Sequence, residues 1–214
     1  MTALKGLDTA MELTRHAQAL RQQGYDFVLR YYSHNGAKNL CLGEARALAQ
    51  AGLRIGVVWE SAGTHASFFS RAQGLSDGAA AFQMAHEKIG QPFGSAIYFA
   101  VDYDPTQADI DGPISNYFTG VRAALYVATQ GQPSYRVGVY GSGLCCGALV
   151  EREVASLSWL SQSTGFAGSK QYADQMKYDL IQTMPTRIGG DCGIELSIDP
   201  DATRPDCDAG LFTV

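Results

Sequence analysis

Short apolar runs alternate with helical stripes along almost the whole chain. The runs LKGLDT (4–9), FVLRYY (27–32), RIGVVWE (54–60) and AIYFAVDYD (96–104) are separated by stretches whose apolar residues recur at helical spacing. Leu13, Ala17 and Leu20 mark the first helix, Ala45, Leu48 and Ala49 the second, Phe82, Ala85 and Ile89 the third. The cleanest stripe, Ile114, Tyr117, Phe118, Val121, Leu125 and Ala128, follows the fourth run. Gly24, Gly52, Gly90 and Gly131 each stand between a helix and the next strand, the left-handed cap expected at that junction.

The second half continues with RVGVYGS (136–142), a helix near 144–155, LSWLSQS (157–163), a short helix near 169–176, DLIQTM (179–184) and IELSID (194–199). The strands are apolar on both faces or nearly so, as parallel strands under helices are. Eight such units predict an α/β protein, a single-domain TIM-like (β/α) barrel over residues 1–214. The stretches 185–194 and 200–214 are too short for a helix with its loops, so the barrel is expected to lack outer helices near the C-terminus. An open doubly wound sheet is the alternative, but DTAMELT after the first strand has no GxGxxG phosphate loop.

At 46% hydrophobic and 17% charged residues, the 214-residue chain can bury a core and is unlike a disordered one. A net charge of −5 with 16 Lys+Arg argues against nucleic acid or an anionic membrane as a partner held by bulk charge. No apolar run approaches the ~20 residues of a membrane span. MTALKGLDTAMELTRH shows no standard signal peptide. The five cysteines, Cys41, Cys145, Cys146, Cys192 and Cys207, leave at least one unpaired within the chain. Cys145 and Cys146 read as small buried residues; a Cys192–Cys207 disulfide is conceivable in an oxidising compartment.

In a parallel barrel the catalytic face carries the C-terminal strand ends. Asp8, Glu60, Asp102, Asp104 and Asp199 fall at those ends. Asp102 and Asp104 are two apart, so a continuous strand would point both the same way. Acids converging on one mouth raise one another's pKa, which keeps a carboxylic acid protonated for general acid work. Tyr32, Trp59, Tyr103, Tyr140, Gln162 and Gln182 lie at the same ends, and His65 in the long loop 61–77 beyond the third strand. Flat rings with polar edges, mixed with carboxyls and amides, suit a sugar. The Phe68-Phe69 pair in that loop reads equally as a cleft wall or as loop packing. No HxH, HExxH or zinc-like Cys/His spacing points to a metal, and no cofactor is expected.

GLDT, RYY, VVWE, YFAVDYD, VGVYGS and SID, taken in order over nearly the whole chain, resemble the glycoside-hydrolase-like domain catalogued as domain of unknown function 1906. That group is related to the family 25, Chalaropsis-type lysozymes. The resemblance implies an incomplete barrel acting on the peptidoglycan glycan strand. The lysozymes carry an Asp at the first strand end, matched by Asp8, a D-x-E pair at the fourth, matched by Asp102 and Asp104, and a late Asp, matched by Asp199. Their second acid of the pair is a Glu acting as general acid/base. Asp104 is one methylene shorter, a displacement that matters where placement is strict.

The expected function is therefore a muramidase-like glycosidase. Asp104 or Glu60 would protonate the leaving oxygen. Asp102 would stabilise the oxocarbenium-like state or act as nucleophile, and Asp8 and Asp199 would tune pKa and hold the sugar. The expected protein is a monomer acting on peptidoglycan or a related glycan at the periplasm or cell wall, with a secretion apparatus or an immunity protein as further partners on a delivery route. Otherwise it would be cytoplasmic. A non-catalytic glycan-binding protein and a metal-assisted hydrolase are the alternatives.

Overall fold

The computed structural model describes residues 2–189 and 195–214. β1 (Lys5–Asp8), β2 (Phe27–Tyr32), β3 (Arg54–Trp59), β4 (Ala96–Ala100), β5 (Arg136–Gly141), β6 (Leu157–Leu160) and β7 (Leu180–Gln182) lie side by side in chain order, all parallel. β8 (Thr186–Gly189) then pairs antiparallel with the first half of β9 (Glu195–Thr203). β9 closes the ring, antiparallel to β1 on one side and to β7 on the other. The barrel thus has eight strands, as the sequence pattern predicts, but the last runs against the other seven. The reason is chain length. A parallel return needs a crossover of a dozen or more residues, usually a helix. No helix stands between β7 and β9 among the described residues, so the chain re-enters from the same end it left. β8, in a stretch read as connecting loop, is the other departure.

The outer layer is α1 (Ala17–Gln22), α2 (Leu42–Gln50), α3 (Arg71–Phe82), α4 (Gln107–Asp109), α5 (Ser115–Ala128), α6 (Gly143–Glu151) and α7 (Ser169–Asp174). A π-helical segment continues α3 to Ile89, and another joins α4 to α5 across Pro113. Gly24, Gly52, Gly90 and Gly131 all have φ between 72° and 83°, so the four helix-ending glycines adopt the left-handed conformation that their positions imply. The helix expected to follow the third strand's loop starts earlier than the loop 61–77 suggests, at Arg71, with Ser70 capping the Gln73 N–H.

Strand alternation sorts two cores. Phe27, Leu29, Val58, Tyr98, Leu157 and Trp159 fill the barrel. Val28, Val57, Phe99 and Val139 face outward onto Leu20, Leu48, Phe118 and Leu149. Large interior rings need small neighbours: a Cβ on Gly6 would come within 2.2 Å of the Phe27 ring, and one on Gly138 within 2.4 Å of Tyr98. After β9 the chain crosses the N-terminal ends of the strands. Tyr98 donates to the Ala209 carbonyl (2.9 Å), and Phe212 and Ile55 exchange backbone hydrogen bonds (2.8 Å each). That end of the barrel is sealed, which leaves the other end for chemistry. Among the described residues no helix is long and apolar enough to cross a membrane. Cys145 and Cys146 are buried, as expected; Cys192, and with it the disulfide to Cys207, lies outside the described residues.

A buried ion pair ties the loop after β1 to its neighbours. Arg30, outward on β2, meets Glu44 of α2 through Nε–Oε1 (2.7 Å) and Nη2–Oε2 (3.3 Å), and also donates to the Thr9 carbonyl. The Leu13 N–H donates to the same Glu44 Oε1 (2.9 Å). Both side chains are sealed from solvent. Removing one partner strands a charge in the interior, so Glu44→Ala is expected to lower unfolding free energy by about 3–5 kcal/mol. Chemical denaturation measures it; a loss below about 1 kcal/mol would show that Arg30 finds another partner.

Candidate active site

The open end holds a cavity of about 190 Å³. Its wall comes from inward positions at the strand ends: Tyr31 of β2, Val58 and Glu60 from β3, Asp102 beyond β4. Tyr140, Trp159, Gln182 and Asp199 from β5, β6, β7 and β9 complete it, with Gln162 just beyond β6. Of the five expected acids, Glu60, Asp102 and Asp199 line the cavity, and Asp8 lies beneath, bound to two lining residues.

Asp8 is buried and anchors the floor. Tyr31 OH donates to its Oδ1 (2.8 Å) and Gln182 Nε2 to its Oδ2 (2.7 Å). Gln182 also reaches Asp199 Oδ2 (3.4 Å), and its Oε1 accepts from Tyr140 OH (2.8 Å). One layer lower is Asp201, whose Oδ1 accepts from Trp159 Nε1 (2.9 Å). Asp201 Oδ2 is buried with no hydrogen-bond partner among the described residues, and Asp8 lies close enough for the two acids to shift each other's pKa.

Burial pushes Asp8 up from 3.8 to about 6, with the Asp199 charge adding and the Gln182 and Tyr31 hydrogen bonds opposing. Asp201 is held well above the carboxylate range, first by burial and then by Asp8. Asp102 is open to solvent on one side; partial enclosure raises its pKa, the Glu60 charge raises it further, and Lys38 works against both. Lys38, from the loop after β2, pairs with Glu60 and lies 4.6 Å from the centre of the Tyr31 ring. Asp199 is also raised by burial. Among the described residues no group of three or more His, Cys, Asp or Glu side chains is arranged to hold a metal.

The remaining expected residues sit elsewhere. β4 stops at Ala100, so alternation is lost before Asp104. Asp104 is exposed, away from the cavity lining, where its Oδ1 accepts from the Ala167 N–H (2.8 Å) in the loop after β6. Tyr103 stacks on Phe69 (ring centres 6.2 Å apart) and also leaves the lining. Tyr32 and Trp59 occupy outward strand positions and are buried under the helices. Tyr32 OH donates to Gln91, and Trp59 meets His34 edge-on at 4.9 Å. Neither lines the cavity; Tyr31 is the inward residue of its pair. His65 is exposed in its loop, outside the lining. Phe69 is buried against Tyr117, so the Phe68-Phe69 pair packs the loop rather than the cleft.

Asp201, Tyr31 and Lys38 complete the set of residues that sequence reasoning did not select. Asp201 had a signal: Asp199 and Asp201 share strand parity around Pro200. Lys38 had none, since a loop lysine has no periodicity.

A family model described as "Rv2525c-like, glycoside hydrolase-like domain" matches residues 18–201, and the chain belongs to this family. YbfG of Bacillus subtilis is 31% identical over 205 residues, 91% of this chain but 28% of YbfG. The chain thus spans about a third or less of the length of the curated relatives it matches. The Tat-secreted protein Rv2525c of Mycobacterium tuberculosis, solved with L-tartrate, shares the fold at a TM-score of 0.76 and 19% identity, over 98% of both chains. A muramidase from Acremonium alcalophilum shares it at 0.59 and 14%, over 95% of each.

The raised Asp8 makes a prediction with a definite sign. Its folded pKa exceeds the unfolded one, so its contribution is fully present below about 3.8 and is lost as pH rises through about 6. Relative to Asp8→Asn, the wild type should lose stability on the order of 3 kcal/mol across that window. Thermal unfolding of both proteins from pH 4 to 7 measures the difference; parallel curves would place the Asp8 charge in water.

Proposed function

We propose that the protein is a glycoside hydrolase of bacterial cell-wall peptidoglycan, lysozyme-like in its reaction. The observation that carries this reading is a pair of carboxyl groups in unlike surroundings at one cavity. Asp102, open to solvent on one side, has its pKa raised by partial burial and by the Glu60 charge, and Glu60 is held by Lys38. Such a difference separates a proton donor from a carboxylate. Asp102 gives its proton to the leaving glycosidic oxygen. Glu60 supports the positive charge that develops on the sugar ring, as nucleophile or as base toward water. Asp8, fully hydrogen-bonded, acts as a fixed anchor for Tyr31 and Gln182. Asp199, Tyr140 and Gln162 face the sugar hydroxyls. The muramidase with the same fold supports the substrate class, and the Tat-secreted relative supports export from the cytoplasm.

Purified protein is incubated with sacculi, and released fragments and new reducing ends are measured by mass spectrometry. Asp102→Asn and Glu60→Gln are each expected to slow release by about 10²-fold or more, the scale of a lost general acid or base. Asp104→Asn is expected to stay within a few-fold of wild type. Strong loss in Asp104→Asn alone would return the proton donor to Asp104. One observation favours a second reading, a glycan-binding protein without turnover: the position matching the lysozymes' Glu holds an exposed Asp tied to a neighbouring loop. Co-sedimentation with sacculi and no new reducing ends would select it.

A further inference from the structure

Donors and acceptors around the cavity are unequally shared. Tyr31 OH is committed to Asp8, Tyr140 OH to Gln182, and Trp159 Nε1 to Asp201. The Gln182 amide donates to Asp8 and Asp199. Among the described lining residues, this leaves the Gln162 side-chain amide as the donor without a protein acceptor. The acceptors are open. Among the described residues no side-chain or backbone donor reaches the Asp102 carboxyl, and the Asp199 carboxyl has the 3.4 Å contact from Gln182 alone. The neighbouring cation, Lys38, is already paired with Glu60. Val58 is the one aliphatic side chain in the wall.

A ligand that satisfies this wall brings hydrogen-bond donors and positive charge. An N-acetyl group does the reverse: its carbonyl needs a donor and its methyl an apolar wall. A free 2-ammonium group offers three N–H donors and a charge. The cavity has room for about six water molecules at ~30 Å³ each, a volume on the scale of one sugar ring.

We propose that the sugar seated in this cavity is a 2-amino sugar lacking its acetyl group, with its ammonium on Asp199, so that the preferred glycan is a de-N-acetylated one. The proposal rests on the glycosidase reading and names the substrate class for the same site.

Binding of a β-1,4-linked glucosamine hexamer and of its fully N-acetylated counterpart is compared by calorimetry at about pH 6, with excess chelator. The amine is then protonated, since a comparable amino group titrates near ~7.7. The glucosamine hexamer is expected to bind at least about tenfold more tightly. The advantage should shrink from about 0.1 M to about 1 M salt, as the screening length falls from ~10 Å to ~3 Å. Asp199→Asn should cut it about tenfold, whereas Asp174→Asn, on the exposed end of α7, should keep it. Equal or tighter binding of the acetylated hexamer overturns the proposal, as does a preference that survives Asp199→Asn. Cleavage of both hexamers and of sacculi is read in parallel. If acetylated substrates are bound better and cut, the substrate class falls and the hydrolase stands. If the glucosamine hexamer is preferred but nothing is cut, the hydrolase reading falls and the binding preference stands.

Discussion

The architecture depends on the direction of its last strand. β9 hydrogen-bonds to β1 and to β7, and no other described segment could bridge the two. Entering from the open end, it delivers Asp199 at the level of Asp8 and Asp201 one layer deeper, opposite Gly6. A parallel strand would reverse that order of depth. The carboxyl group nearest the sealed interior therefore comes from the residue that arrives last, and it meets an Asp8 already surrounded by donors. The absent outer helix and the buried acid pair are two results of the same short connection.

Burying two acids side by side is costly unless one proton serves both. The rest of the floor supplies donors to both. Trp159 satisfies one oxygen of Asp201, and Tyr31 and Gln182 satisfy Asp8. Tyr140 in turn fixes which way the Gln182 amide points. Each of these floor side chains is held by the next, the kind of support a functional site needs. Its donors point down into the floor, and open carboxyl oxygens point up.

Much of this was legible in the residue pattern. The strands, the helix-ending glycines and the convergence of Asp8, Glu60, Asp102, Asp199 and Gln182 on one mouth follow from alternation and from the rule about strand ends. The failures have local causes. Tyr31 and Tyr32 are chemically alike, and choosing the inward one requires the strand's register, which a single-residue shift inverts. Asp104 was assigned by extending alternation past Ala100, where the chain has already turned. β9's direction depended on a connection too short to hold a helix, a fact of length that carries no hydrophobic signature. Lys38 reaches Glu60 from a loop, by geometry that no spacing encodes.

Closing the ring with its first and last strands has a consequence for synthesis. β1 pairs with β9, from Asp8–Asp199 to Lys5–Ala202, so these contacts join residues very far apart in sequence. On the ribosome, β1 through β7 emerge and can pair in order, but the sheet keeps two unprotected edges until β9 is released. Such edges are templates for unwanted strand addition, and non-local closure is slow. Until β9 emerges, β1 through β7 form an open sheet, and that interval is when self-association is most favoured.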